Sequence, residues 1–382
     1  MTNNINKVNC ISLFSGIGGF EVGMKPLGFH FLKTIEIDKK CCETLKENKE
    51  YIGVIDEEIR PMDITKVKPK ELGLNNIDYM VGGPPCQSFS ACGLRKGTED
   101  SRGLLFTYYC DYVKYFKPKA FVFENVRGIL SSKKGKDFNI ICKEFEKIGY
   151  KIYWRLLNAA DYGVPQQRER VFIVGIRSDI GIDFKFPRPL YGEDSITKIP
   201  YVTVGDVIGD IEEQEVVKEF NGKYAYLLKD IPLGDNYSYY TKERGYPNPV
   251  FEWRSKFSSF LYKMNPNDIC RTITASPRKY DGPFHWHNRK CTIEELKRLQ
   301  GFPQDYKIPQ SYRVGVKQIG NSVCPPIATQ IGKALRYQIE GLEEFKVDLL
   351  DLDEKLHFDK IKRIKAEETK RIKQRTKEEK YK

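Results

Sequence analysis

The sequence predicts an α/β protein, with a doubly wound domain in the first half of the chain and a smaller, loop-rich domain after it. Three observations predict this. Residues 8–14 (VNCISLF) are an apolar run that breaks into Ser15-Gly16-Ile17-Gly18-Gly19 and then an amphipathic stretch. Strand, glycine turn and helix in that order open a doubly wound sheet. Up to about residue 184 short apolar runs then alternate with helical patterns, as βαβ units require. From Lys185 to about Arg289 the periodicity gives way to prolines, aromatics and irregular spacing.

The opening turn presents backbone N–H groups to an anion or ligand at the sheet edge. Its glycines are not spaced G-x-G-x-x-G, so a nicotinamide dinucleotide is a weak reading. A second strand over 31–35 ends in Glu36-Ile37-Asp38, about 20 residues past the turn, where an acid holds ribose hydroxyls in such folds. Asp63, before Ile64-Thr65, follows another short connection and is placed to face an adenine. Alone, each acid reads as a solvated loop charge or a helix cap. Together, at successive strand ends, they point to a nucleoside.

Residues 77–81 (IDYMV) form a short buried strand ended by Gly82-Gly83. Pro84-Pro85 stiffens the backbone immediately before Cys86, so a thiol sits on a rigid turn at the carboxyl edge of a strand, where open α/β sheets bind ligands. Most lone cysteines are small buried hydrophobes. The Pro-Pro-Cys-Gln setting marks this one as a nucleophile. The polar loop after it, punctuated by Gly93, Gly97 and Gly103, is expected to move over a bound substrate.

A helix over 105–116 and Pro118 lead into an apolar strand, 120–123, that runs on into Glu124-Asn125-Val126. A glutamate directly after such a strand is poorly solvated, which raises its pKa and suits it to proton donation; read alone it would cap the next turn. A helix over 137–148 and a strand over 151–157 precede Gln166-Gln167-Arg168-Glu169-Arg170, and a strand over 171–176 follows. Arg168 and Arg170 alternate with Glu169, so in extended backbone both guanidiniums point to one side. One then reaches a base oxygen and the other Glu124 or a phosphate, unless both are surface ion pairs.

Between 185 and 290 only short strands such as Thr272-Ile273-Thr274 are legible. Arg254, Lys256, Arg271, Arg278, Lys279, Tyr280, His285 and Trp286 interleave cations with aromatics, a mix suited to nucleic acid; each alone says little. Thr292-Ile293-Glu294-Glu295-Leu296 opens a helix with a capping signal, and Gly320-Asn321-Ser322-Val323-Cys324-Pro325-Pro326 leads into a helix over 327–339. Residues 343–382 look helical and highly charged, with Asp359 and Arg363, and Glu367 and Arg371, spaced for helical ion pairs. A solvated helix or simple disorder is the default for such a tail.

At 382 residues the chain holds one large core and a smaller domain. No apolar run approaches membrane-spanning length, and the start, MTNNINKVNC, lacks the apolar core of a signal peptide, so a cytoplasmic protein is expected. The ten cysteines show no Cys-x-x-Cys and read as reduced, mostly structural thiols. His285 and His287 near Cys270 and Cys291 suggest packing and polar contacts; no metal is expected. Net charge is +12, but residues 360–382 alone hold eleven Lys/Arg against four Glu. The rest is only mildly basic, so charge alone does not assign a function.

The segments FSGIGGFEVG (14–23), EID (36–38), DIT (63–65), GGPPCQSFS (82–90), ENV (124–126), QQRER (166–170) and GNSV (320–323), in this order, resemble the cytosine-5 DNA methyltransferases of the bacterial restriction–modification type. The resemblance implies a doubly wound S-adenosylmethionine-dependent domain and a smaller target-recognition domain that reads DNA. It divides the chain into 1–184, the first part of the catalytic domain; 185–290, target recognition; 291–342, a return to the catalytic domain; and 343–382, the charged tail. Carried over, Phe14, Gly16, Gly18, Glu36, Asp63, Pro85, Leu105, Asn321 and Val323 line the site of S-adenosylmethionine. Cys86 is the nucleophile, Glu124 the acid at cytosine N3, Arg170 the donor to O2, and Arg168 a support of the pocket. Thr272 positions backbone near a flipped base, with Arg271, Arg278 and Lys279 beside it facing the DNA groove. Double-stranded DNA is the implied partner of a monomeric enzyme, with a restriction endonuclease acting on the same site and not in contact.

The chemistry requires these residue types. Cytosine C5 is too poor a nucleophile to take a methyl group directly. Thiolate addition at C6 breaks the aromaticity and loads electron density onto C5, with Glu124 at N3 and Arg170 at O2 stabilising the adduct. A base stacked in a duplex is out of reach, so it must be flipped out. Two competing readings remain: a tRNA cytosine-5 methyltransferase of the same fold, disfavoured by the long loop-rich stretch, and a catalytically silent DNA-binding regulator, disfavoured by intact Cys86, Glu124 and Arg170. Removing residues 343–382 is expected to lower general DNA affinity and flatten its salt dependence while sequence preference survives, because basic charge drives counterion release. An unchanged salt slope would mean that the tail does not touch DNA.

Overall fold

The computed structural model describes residues 6–85, 105–211 and 220–352. Strands β1 (Val8–Leu13), β2 (Phe29–Ile35), β3 (Tyr79–Gly82), β4 (Ala120–Val126), β5 (Tyr150–Asn158) and β7 (Glu169–Arg177) make one sheet in the order β2-β1-β3-β4-β7-β5. The pairings among β2, β1, β3 and β4 are parallel, and β7 runs antiparallel to both β4 and β5. Two-residue strands β6 (Gln166–Gln167) and β8 (Cys270–Arg271) pair in parallel outside it.

Near-continuous apolar runs suit strands buried on both faces. Cys10, Tyr79, Val81 and Val122 pack on one face, with helices α1 (Gly19–Met24) and α9 (Pro325–Glu340). Leu13, Met80, Phe121 and Phe123 pack on the other, with α4 (Leu105–Phe116) and α5 (Lys136–Lys147). Helices α2 (Lys39–Glu47) and α3 (Lys49–Ile52) follow β2. The parallel strands therefore present their carboxyl ends together, at Leu13, Ile35, Gly82 and Val126.

Beyond the sheet, α6 (Val204–Ile208), α7 (Ile293–Leu299) and α8 (Tyr312–Asn321) share a third apolar cluster. Residues 220–290 hold short 3-10 turns around an aromatic cluster containing Tyr237, Tyr240 and Phe284. The expected strand at Thr272-Ile273-Thr274 is not formed. Pairing stops at Arg271, because the next groups are taken by side-chain bonds: Thr272 Oγ1 donates to the Gln167 carbonyl at 2.6 Å, and Ile273 N donates to Gln166 Oε1 at 2.9 Å.

The first part of the expected helical tail is also different. Residues 343–352 contain one 3-10 turn, Glu343–Phe345, and then run extended beside residues 186–188, where Leu350 N donates to the Phe186 carbonyl at 2.9 Å. Phe345 and Leu350 are buried in the main core, so apolar burial overrides the charged local pattern. Residues 353–382, with the basic run, lie outside the described residues. A truncation aimed at DNA affinity therefore has to start after Leu352.

Beneath the turn between β1 and α1 lies Glu21, fully buried. Burial pushes its carboxyl from an ordinary 4.5 up to about 7, only partly offset by the Ser12 and Ser15 hydroxyls. The unfolded chain loses this proton near pH 4.5 and the folded chain near 7. Stability from this residue is therefore greatest below the first value and falls by about 3 kcal/mol as pH rises to the second. Glu21→Gln should remove that decline. Urea titrations of both proteins at about pH 5 and about pH 8 check it; parallel slopes for the two would refute it.

Candidate active site

The carboxyl ends of the parallel strands open into a cleft of about 550 Å³. Phe14 follows β1 with φ 55, Gly16 comes next but one with φ 57, and the chain turns back into α1. Glu36, at the end of β2, binds this turn: its Oε2 accepts from Gly16 N and its Oε1 from Asp38 N, both at 2.8 Å. Burial holds the Glu36 carboxyl above its ordinary value, with those two N–H groups opposing the rise. Asp38 caps α2 through Lys40 N and pairs with Lys317 of α8 at 3.1 Å. Asp63 is held by the Thr65 hydroxyl at 2.7 Å and backbone N–H at 3.0 Å, which keeps its carboxyl low.

Glu124 lies at the inner end of the cleft, 8% exposed. Burial raises its pKa, while the Arg170 guanidinium, and after it that of Arg168, pull it back. Arg170 Nε stands 3.1 Å from Glu124 Oε1. Beside them Asn125 Nδ2 donates to the Pro84 carbonyl at 3.1 Å, tying the end of β4 to the segment after β3. Pro85 is exposed on the cleft wall. Cys86 and the glycine loop that follows lie outside the described residues.

The two arginines do not share a task. Arg168 is 1% exposed, and its guanidinium donates to the carbonyls of Ile273 at 3.2 Å, Gly320 at 2.9 Å and Ser322 at 2.8 Å. Burial lowers its pKa to about 10. It therefore reaches neither a surface ion pair nor a site open to phosphate. Gln166 runs alongside, donating to Gln300 Oε1 at 2.9 Å, while Gln300 Nε2 donates to the Ser322 carbonyl at 2.9 Å. These bonds join three segments that are distant in sequence.

Seven of the nine residues expected around the cofactor line the cleft: Phe14, Gly16, Glu36, Asp63, Pro85, Leu105 and Asn321. Gly18 and Val323 do not. A Cβ on Gly18, at φ +78, would lie 2.4 Å from the Ile52 side chain, and the Val323 carbonyl packs 2.2 Å from where a Cβ on Gly19 would stand. Both face the packing behind the turn. Lys317, Gln318 and Val314 of α8 also line the cleft and were not expected. The apolar spacing of 312–321 is helical, but nothing in it marks a cleft wall.

Among the basic side chains near Thr272, Arg271 donates to the Ser258 carbonyl and lies 4.2 Å from the Tyr262 ring centroid. Arg278 keeps a side chain 67% exposed, and Lys279 is exposed. His285 is buried, its Nδ1 accepting from His287 N at 3.1 Å and its Nε2 lying 3.6 Å from Glu295. The described residues contain no group of three metal-ligating side chains and no helix long and apolar enough to cross a membrane.

The model of the C-5 cytosine-specific DNA methylase family matches residues 8–336. The chain is 32% identical over 377 residues to the Type II methyltransferase M.NgoFVII of Neisseria gonorrhoeae, covering 96% of this chain and 97% of that one. It is 33% identical over 343 residues to M.MthTI of Methanothermobacter thermautotrophicus, covering 87% and 98%. Among solved structures, a prophage-encoded E. coli protein assigned as a DNA modification methyltransferase aligns with TM-score 0.60 and 26% identity over 87% of this chain and all of the other. Spodoptera frugiperda DNMT2, at TM-score 0.57 and 19% identity over 86% of this chain and 99% of that one, shares the fold.

The Arg168 network makes a prediction of its own. Arg168→Met takes the donor from the buried Ile273 and Gly320 carbonyls, each worth about 1–3 kcal/mol, and leaves the Ser322 carbonyl to Gln300 alone, against the relief of a desolvated charge. The carbonyls win, so a loss of about 3 kcal/mol or more is expected. Arg168→Lys restores only part of it, because an ammonium is a single centre and not a planar fork. Denaturant midpoints check the order; an unshifted midpoint for Arg168→Met would contradict it.

Proposed function

The chain belongs to the C-5 cytosine-specific DNA methylase family and is a DNA cytosine methyltransferase; from this premise we propose that it methylates C5 of a flipped-out cytosine at one short duplex sequence through a covalent Cys86 adduct, as the modification enzyme of a restriction–modification system. The observation that carries the reading is the buried Glu124–Arg170 pair, 3.1 Å apart at the inner end of a cleft walled by Pro84 and Pro85. Under this proposal the enzyme acts as a monomer in the cytoplasm and shares a DNA sequence, not a contact, with an endonuclease.

The cleft suits S-adenosylmethionine. Each Glu36 oxygen accepts one backbone N–H, which leaves lone pairs for ribose hydroxyls. Ile37 is 63% exposed on the cleft wall, an apolar surface that an adenine would cover. Asp63, Leu105 and Asn321 complete the set. The bound cofactor supplies the methyl group.

The protein's residues do the rest. The Cys86 thiolate adds to C6 of the extruded base. Burial keeps the Glu124 proton on longer than at an ordinary carboxyl, so it shares or gives that proton to N3 as the ring takes up electron density. Arg170, held by Glu124, faces O2 and stabilises the same charge. After methyl transfer the C5 proton leaves to a base, the C6–S bond breaks and N3 returns its proton. Arg168 holds the strand carrying Arg170 against Ile273 and Ser322, and Thr272 holds the recognition loop on Gln167. Arg271, Arg278 and Lys279 then lie on the DNA side.

Purified protein with labelled S-adenosylmethionine should methylate duplex DNA at one short motif and total tRNA far less. Cys86→Ser should abolish transfer with cofactor binding nearly intact, and duplexes carrying 5-fluorocytosine at the target should form a denaturation-resistant complex, since fluorine blocks the final elimination. Efficient tRNA methylation with none on DNA would overturn the substrate; ordinary methylation without the trapped complex would overturn the covalent route.

A further inference from the structure

Cations crowd residues 220–290, yet several are already committed within the protein. Arg244 pairs with Asp235 at 2.6 Å. Lys263 Nζ donates to the carbonyls of Leu228 and Lys229 at 2.9 and 3.2 Å. Arg271 is spent on Ser258 and Tyr262. Arg278 is different, because its ion pair is made through Nε, whereas Arg244 is held at a terminal nitrogen, Nη2.

Residues 278–281 form a tight turn in which Asp281 N donates to the Arg278 carbonyl at 3.0 Å. Asp281 Oδ2 reaches back and accepts from Arg278 N at 3.0 Å and from Arg278 Nε at 3.1 Å. Asp281 is 9% exposed, and its carbonyl is held by Lys290 Nζ at 3.0 Å. The carboxylate is thus anchored in the body of the domain, while the arginine side chain stays 67% exposed. Its guanidinium also lies 5.5 Å from the Phe257 ring centroid, with Arg254 at 5.9 Å from the same ring. Nε is occupied, and Nη1 and Nη2 make no hydrogen bond among the described residues.

The turn belongs to the loop that borders the active site. Thr272 is bonded to Gln167, and a Cβ on Gly320 would fall 2.4 Å from Ala275 N. Gly320 lines the cleft, so the loop is pressed against the cleft wall three residues before Arg278. On the other side, Gly282 N donates to the Ser259 carbonyl and Leu261 N to the Tyr280 carbonyl, both at 2.8 Å, which locks the loop to residues 259–261.

We propose that Arg278 is the guanine-reading side chain of this enzyme and that Asp281 is the positioning residue that presents its two terminal nitrogens to O6 and N7 in the major groove. The inference rests on duplex DNA being the substrate. Two physical points favour a base over a phosphate. The Arg278–Asp281 pair taken together is close to neutral, so it is a poorer phosphate anchor than a lone cation, yet the arginine keeps both terminal donors in the spacing guanine requires. Fixing Nε also removes rotamer freedom that a free arginine would lose on binding. Lys279, next in sequence and without an ion pair among the described residues, has the opposite character and suits a phosphate.

The test uses the full chain on a library of duplexes with randomised flanks, read by bisulfite sequencing, with salt titrations of binding alongside. Wild type should require guanine at one position. Arg278→Ala should lower that preference about 10-fold or more, leaving other positions and the salt slope nearly unchanged. Arg278→Lys should lose it too, since a single charged centre cannot make the paired contact. Asp281→Ala should weaken discrimination at the same position by a few-fold and Asp281→Asn, which keeps a neutral acceptor, by less. Lys279→Ala should weaken all sequences alike and reduce the salt slope by about 1. Cofactor binding by each variant reports folding, and the Arg278 pair decides the matter if the Asp281 variants fail to fold. The proposal is overturned if Arg278→Ala leaves every position unchanged, or weakens all alike with a lower salt slope. Wild type that methylates no duplex DNA would instead overturn the substrate beneath it.

Discussion

The arrangement depends on a buried arginine that has no carboxylate hydrogen-bonded to it among the described residues. Arg168 is held by three carbonyl dipoles, those of Ile273, Gly320 and Ser322. Its burial is costly, as the fall of its pKa to about 10 shows. The cost falls where it has an effect. The strand with Arg170, the loop with Thr272 and the segment with Asn321 meet at this one guanidinium. A hydrophobic residue would spare the desolvation of a charge, but it would leave buried carbonyls without a donor and would not fix the register of three backbones at once.

Around that point the site separates two kinds of ionised group. Glu36, Asp38 and Asp63 stand at the cleft mouth, held by backbone N–H groups, a lysine or a threonine. Glu124 stands deeper, and burial raises its pKa despite two arginines. Burial raises Glu36 as it raises Glu124, but backbone N–H groups oppose the rise at Glu36 and two guanidiniums oppose it at Glu124.

The sequence made the parallel strands and α4 legible because burial on both faces leaves an unambiguous apolar run, and α4 spans Leu105–Phe116 as its pattern implies. Glu124 was legible as a polar residue at the end of an apolar strand, and Arg170 as one directly before the next. Other features were hidden because they depend on distant partners. Nothing local distinguishes Gly18, which faces Ile52, from Gly16, which faces the cleft. Residues 343–352 look like a solvated helix until Phe186 is known to accept them. Thr272-Ile273-Thr274 reads as a strand, but its bonds go to the side chain of Gln166 and the carbonyl of Gln167. Which arginine is spent inside the protein is a property of its neighbours alone.

The packing of α9 on α1 also has a consequence during synthesis. Val323 closes against Gly19, and Thr329 Oγ1 donates to the Gly23 carbonyl at 2.9 Å, so the wall behind the first glycine turn is supplied by some of the last residues described. A growing chain carries β1 and β2 for most of its time on the ribosome without the helix that covers one of their faces. Such long-range closure slows folding and leaves apolar surface exposed meanwhile. It also means that a chain stopped before α9 lacks the back of the cleft.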